Sequence, residues 1–150
     1  MADEEYVVWS KSYETGIPLI DNQHKKLVAL TNQLYDACLA GRDTATEFFL
    51  RAVHEFVDYA KEHFSAEEEL MKQSAYSHLA EHKAKHDEFV KKLLNETQEM
   101  KAGNPMVPLI FLHYLRSWIL SHIAIDDMDF VYHSKALKKE VGILFRKFAN

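Results

Sequence analysis

Four runs of apolar residues at three- and four-residue steps, separated by short breaks, restrict this chain to a bundle of long helices. Leu27, Leu30 or Thr31, and Leu34 form the first stripe, which follows "GIPLID" and stops near Gly41, a residue suited to the position just past a helix end. "TATE" (Thr44 to Glu47) reads as a capping box opening a second helix. That helix carries Phe49, Val53, Phe56 or Val57, Ala60, Phe64 and Leu70, out to about Met71. "QSAYS" interrupts the pattern, and a third helix is expected from about Ser77 to Lys101 through Leu79, Phe89, Leu93 and Met100. "AGNP" (Ala102 to Pro105) is a strong stop, and Pro108 fits the first turn of a fourth helix. The fourth stripe runs through Leu112, Leu115, Ile119, Ile123 and Phe130, and a fifth, short one spans about Lys135 to Phe148.

Long helices with short connections pack against their sequence neighbours, which predicts an all-α, up-down-up-down antiparallel four-helix bundle. An N-terminal arm with Trp9 and Tyr13 precedes it, and a short C-terminal extra helix follows. The expected organisation is one domain over residues 1–150, with its core at about 9–130 and an extension at 131–150. A content of 4 Gly and 3 Pro with 47% hydrophobic residues agrees with long uninterrupted elements.

The net charge of -5 argues against nucleic-acid binding, which needs a basic excess. No stretch approaches 18 apolar residues, so no membrane span is expected. The start, "MADEEYVVW", lacks the basic and apolar regions of a signal peptide, and the single cysteine, Cys38, calls for no oxidising compartment. Together these point to a cytoplasmic domain. Nine histidines are the compositional anomaly.

In the predicted topology, the starts of helices one and three share a level with the ends of helices two and four. His24 falls near the start of helix one, and His63 and Glu67 near the end of helix two. His82 and His86 fall near the start of helix three, and His122, Asp126 and Asp127 near the end of helix four. His54 and His113 each precede a retained histidine by nine residues, about 900° of helical rotation, and so face away. His133 lies past the fourth helix, and His78 lies one turn closer to the start of helix three. Any one of these histidines alone is more often a surface or satisfied polar residue than a ligand. Five histidines and carboxylates meeting at one level are another matter, because buried without partners they would cost several kcal/mol.

That set exceeds the four ligands of one tetrahedral zinc and suits two first-row ions of higher coordination number. Thiolate-free, imidazole-rich surroundings suit iron, with zinc or manganese as competitors. Bundles that activate oxygen with Glu-x-x-His motifs carry four acidic ligands. A mostly neutral nitrogen set stabilises the ferrous pair instead and favours binding over oxygen activation.

The segments "GIPLIDNQHKKL" (16–27), "HFSAEEELM" (63–71), "HKAKHDEF" (82–89) and "WILSHIAIDDMDF" (118–130) resemble the hemerythrin family, most closely its bacterial branch. They occur in order and span the chain from about Trp9 to Phe130. The resemblance implies two non-haem iron ions per chain, with His82, His86 and His122 on one and His24 and His63 on the other. Glu67 and Asp127 would bridge them together with an oxo or hydroxo group, and His78 would be spare. Ideal α-helical geometry sets Asp126 about 40° from His122 and Asp127 about 140° away. The family pattern nevertheless selects Asp127 and leaves Asp126 in an outer or surface role.

The resemblance also implies reversible O2 binding at the two-histidine iron, in a dry pocket formed by Leu27, Phe64, Trp118, Ile119 and Ile123. The expected role is transport, storage or delivery of oxygen, not catalysis. Two alternatives are an oxygen or redox sensor acting through a partner and a di-iron enzyme consuming peroxide or nitric oxide. Beyond the family match, Lys135, Lys138, Lys139, Arg146 and Lys147 oppose only Glu140. Such a tail usually folds back on its own bundle. A protein partner docking there is the lesser reading, and a membrane-surface role is disfavoured.

Overall fold

The computed structural model describes residues 5–135. Four helices account for its core: α1 (Pro18–Ala40), α2 (Arg42–Gln73), α3 (Leu79–Lys101) and α4 (Val107–Trp118). The helix begun by α4 continues without a break through a π-helical segment, Ile119–Asp127, and returns to α-helix over 128–135. The extra helix expected over Lys135 to Phe148 lies, beyond Lys135, outside the described residues. No described helix is long and apolar enough to cross a membrane.

Three tight connections set the up-and-down course. Gly41 alone separates α1 from α2; its φ of 123° is open to glycine, and its carbonyl accepts from Ala45 N–H at 3.0 Å. Because the chain turns on this one residue, α2 starts at Arg42, and Thr44 lies inside its first turn. The capping box expected at Thr44 to Glu47 therefore does not form: Gly41 occupies the cap position, with no side-chain cap.

The ends of α2 and α3 share one device. After α3, Gly103 at φ 92° donates to Met100 O and Asn104 N–H donates to Glu99 O, each at 3.0 Å. After α2, Ala75 at φ 53° donates to Lys72 O at 3.1 Å, and Tyr76 N–H donates to Met71 O at 2.9 Å. Both are Schellman turns that satisfy the last carbonyls of a helix. Met71 and Tyr76 pack together in a small apolar cluster with Phe130 and Val131, the hydrophobic contact such turns commonly carry.

The N-terminal arm is fastened to α1 by polar contacts. Asn32 accepts from Val7 N–H and donates to Val7 O, both at 2.8 Å, as a neighbouring strand would. Asp21, in the first turn of α1, accepts from the backbone N–H and hydroxyl of Thr15, each at 2.8 Å. The bundle centre is aromatic: Phe49, Phe56, Phe89 and Phe111 are fully buried, with Phe111 edge-on to Phe49 and Phe56 at 5.6 and 5.2 Å between ring centres. This packed half fixes the helix spacing at the other end, where the polar cluster sits.

Candidate metal centre

All seven residues expected as ligands are buried and meet at one end of the bundle. Their positions also establish helix direction. His24 of α1 contacts His63 of α2 although Gly41 joins the two helices at the far end, so α1 and α2 run antiparallel.

The side chains divide into two groups. Glu67 Oε1 lies 2.6 Å from His82 Nε2 and 3.1 Å from His86 Nε2. Asp127 Oδ1 lies 2.9 Å from His82 Nε2 and 3.2 Å from His122 Nε2. The other two oxygens face the remaining pair: Glu67 Oε2 is 3.3 Å from His63 Nε2, and Asp127 Oδ2 is 3.0 Å from His24 Nε2. Each carboxylate thus spans both groups, with three imidazoles on one side and two on the other.

A test of fit follows from the donor atoms. Ligand atoms about 2.1 Å from one ion and at right angles to each other stand about 3.0 Å apart, close to the spacings found here. His86 Nε2 and His122 Nε2 face each other at 3.1 Å. Their outer nitrogens carry the protons: His86 Nδ1 donates to Glu68 Oε2 at 2.7 Å and His122 Nδ1 to Asp126 Oδ2 at 3.2 Å. In the neutral rings both inner nitrogens then present lone pairs, which repel unless a proton or a metal cation lies between them. His63 is held in the same way, Nδ1 donating to Gln23 Oε1 at 2.7 Å. Such outer partners fix the tautomer and orientation of metal-binding histidines. Among the described residues, Glu67 Oε2 and both Asp127 oxygens are buried without an aligned hydrogen bond, as expected of atoms shaped to bind cations. The residues fit a binuclear metal centre.

Electrostatics in the protein without metal point the same way. Burial and the nearby Asp127 push the Glu67 carboxyl up, but contacts with His63, His82 and His86 outweigh them and hold it at about 2. Burial likewise opposes ionisation of Asp127, yet the charge of His122 and contacts with His122, His24 and His82 hold it well below the ordinary range. His82 moves in the opposite sense. Desolvation works against its charge, while Asp127 and Glu67 raise it to about 9. Two buried carboxylates thus stay ionised by drawing positive charge onto His82 and His122.

The π-helical segment explains how Asp127 reaches the centre. An i→i+5 backbone pattern brings the residue five positions on over the same face, where an α-helix would carry it away. His122 and Asp127 therefore both point inward. Asp126 turns outward, accepting from His122 Nδ1 and pairing with Lys85 at 2.9 Å. The histidines set aside lie elsewhere: His54 and His113 are exposed, His133 is half-buried near Tyr76, and His78 is exposed at the position preceding α3.

The expected pocket residues Leu27, Phe64, Trp118, Ile119 and Ile123 are all buried in the one core cluster. Two of them brace imidazoles directly: Phe64 stacks on His86 and Trp118 on His122, each at 4.0 Å between ring centres. Tyr59, which the sequence reading missed, stacks on His63 at 5.0 Å, one turn along α2. Burial, then Asp127 and Glu67, push its phenol well above the ordinary value, with the Trp118 indole opposing them. The i, i+4 spacing of Tyr59 and His63 was the available signal, the same spacing that relates Trp118 to His122. Gln23 and Glu68 were missed too, since each shows only as the neighbour of a ligand candidate.

An all-α bundle that buries five imidazoles and two shared carboxylates at one end fits a binuclear cation centre. The family model for the hemerythrin HHE cation binding domain matches residues 15–132, and the chain belongs to that family. It is 33% identical over 126 residues to a bacteriohemerythrin of Pseudomonas aeruginosa, covering 84% of this chain and 80% of the relative. A bacteriohemerythrin of Clostridium acetobutylicum is 30% identical over 132 residues, with 83% of this chain and 98% of the relative covered. A solved hemerythrin variant superposes with a TM-score of 0.69 at 25% identity, over 87% of this chain and 98% of that one.

Proposed function

We propose that this protein binds O2 reversibly at a non-haem di-iron centre and carries, stores or delivers it. In this reading His82, His86 and His122 hold one ion and His24 and His63 the other. Glu67 and Asp127, whose oxygens reach both sides, would serve both ions. The observation that carries the proposal is the uneven division of imidazoles between carboxylates that reach both sides. With one nitrogen ligand fewer, the His24–His63 side has a position left for an exogenous ligand. The chemistry that a ferrous pair supplies when bound is reversible electron transfer to O2.

The chain's own residues do the remainder. Neutral imidazoles favour the ferrous state over highly oxidised iron. Gln23, Glu68 and Asp126 hold the rings in orientation. Leu27, Ile119 and Ile123, fully buried, with Phe64 and Trp118 keep water from a site where it would promote irreversible oxidation. We assign the protein a carrier role in the cytoplasm, not an enzymatic one.

The test is the optical spectrum of anaerobically reduced, iron-quantified protein before O2, after O2 and after O2 is flushed out. Two irons per chain and a visible band that appears and then reverses are expected. Direct conversion to a stable ferric form would shift the role to redox sensing or catalysis, and a colourless zinc protein would end the di-iron reading.

A further inference from the structure

Tyr59 and Trp118 present an unmet need. Both are buried, and among the described residues neither the Tyr59 hydroxyl nor the Trp118 indole N–H has a hydrogen-bond partner. Both rings pack against the same two side chains, Phe64 at 5.8 Å in each case and Phe89 at 6.1 and 4.9 Å. Two donors side by side cannot satisfy one another fully. If the indole gives its hydrogen to the phenol oxygen, the phenol hydrogen still lacks an acceptor. An unmet buried donor is costly, and native structures leave few of them.

Position says what could meet it. Tyr59 stacks on His63, an imidazole of the two-histidine side, and Trp118 stacks on His122 across the cluster. Phe64 and Phe89, which pack against both rings, are apolar and offer no acceptor. A phenol keeps its proton at neutral pH and serves as a donor.

We propose that Tyr59, assisted by Trp118, donates a hydrogen bond to the far end of a small exogenous ligand, O2 or a small linear anion, held at the centre. This rests on the exogenous-ligand position of the proposed function and deepens it: the residue at 59 sets how strongly acceptor-ended ligands are held.

The probe is azide, titrated into iron-loaded ferric protein and followed by its visible absorption and by the azide stretching frequency in H2O and D2O. For Tyr59→Phe, with iron content and melting temperature measured alongside, azide affinity is expected to fall about tenfold. The H2O/D2O difference in the stretch should shrink or vanish. Trp118→Phe, which keeps an aromatic ring on His122, should weaken azide by a smaller factor and keep the isotope difference. Unchanged affinity and an unchanged isotope difference in Tyr59→Phe with two irons retained would overturn the proposal. If Tyr59→Phe loses its iron, the isotope difference in the parent protein decides: its presence supports a donor to the ligand and its absence refutes one. Failure of reversible O2 binding in the parent, with azide still sensitive to Tyr59, would remove the carrier role and leave the donor in place.

Discussion

His122 Nε2 lies 3.2 Å from Asp127 Oδ1 although the two residues are five apart on one continuous helix. Only the π-helical register of Ile119–Asp127 permits this, and it assigns the adjacent acids opposite duties. Asp127→Ala should therefore lose binuclear loading, leaving at most one iron per chain. Asp126→Ala should retain two irons at about 10- to 100-fold weaker affinity, the usual cost of removing a ligand's outer partner. Iron quantification after competition with a chelator separates the two.

Glu68 and Glu69 offer a matched comparison on α2. Glu68 accepts from His86 Nδ1, whereas among the described residues Glu69 meets only Gln73, on the surface at 3.3 Å. Glu68→Ala should weaken metal binding by about 10- to 100-fold, and Glu69→Ala should leave it unchanged. Equal effects in a chelator titration would show that the imidazole orientation is set by packing alone.

Melting of metal-free protein should depend on pH from both sides. Raised from 6.5 to about 9, His82 contributes stability that is complete below pH 6.5 and lost as pH climbs to 9. Glu67, lowered from 4.5 to about 2, contributes stability present above pH 4.5 and lost as pH falls toward 2. His63, held down chiefly by burial, adds to the acid-side loss. Because His63 costs stability below pH 6.5 and His82 above it, a maximum near pH 6.5 is expected by calorimetry. Iron should remove the alkaline decline, because metal replaces the proton on His82.

Ala75 sits where Gly103 sits in the equivalent turn, with a Cβ that the left-handed backbone disfavours. Ala75→Gly should raise the unfolding free energy by about 0.5–1 kcal/mol in urea titrations, without altering iron content. A decrease would mean that the methyl group packs to more effect than its strain costs.

Ile123 is fully buried beside His122. Ile123→Asn brings a polar group into an apolar wall, which admits water. The decay of the oxygenated spectrum to ferric protein should accelerate several-fold with iron stoichiometry unchanged; an unaltered decay rate would place the water barrier elsewhere.

How much of this was legible in advance follows from what each feature is made of. Helix positions show in side-chain periodicity, so α1 and α3 start and stop within a few residues of their expected places. The gathering of seven side chains at one end follows from alternating helix direction, which short connections impose. The π-helical register is different in kind. It belongs to the backbone ladder and leaves no mark in residue type, so ideal helix geometry set Asp127 about 140° off the ligand face. The family pattern selected the residue that the backbone delivers, without supplying the reason. Thr44 misled because its local signal was sound but Gly41 had already restarted the chain. Tyr59 was overlooked because aromatic residues at helical spacing are ordinarily core, and its distinction lies in an unmet hydroxyl that only packing reveals.

The division of each carboxylate between the two groups of imidazoles has a consequence for assembly. On the proposed reading, the first ion to arrive would take one oxygen of Glu67 and one of Asp127 and hold both side chains. Their second oxygens are then already aimed at the opposite imidazoles, so the first arrival bears the ordering cost for its successor. Occupancy should therefore run from none to two with little single-ion species between, and removal should be equally abrupt. On that reading charge balance and side-chain order would change together, and the pair of positions would behave as a single thermodynamic unit.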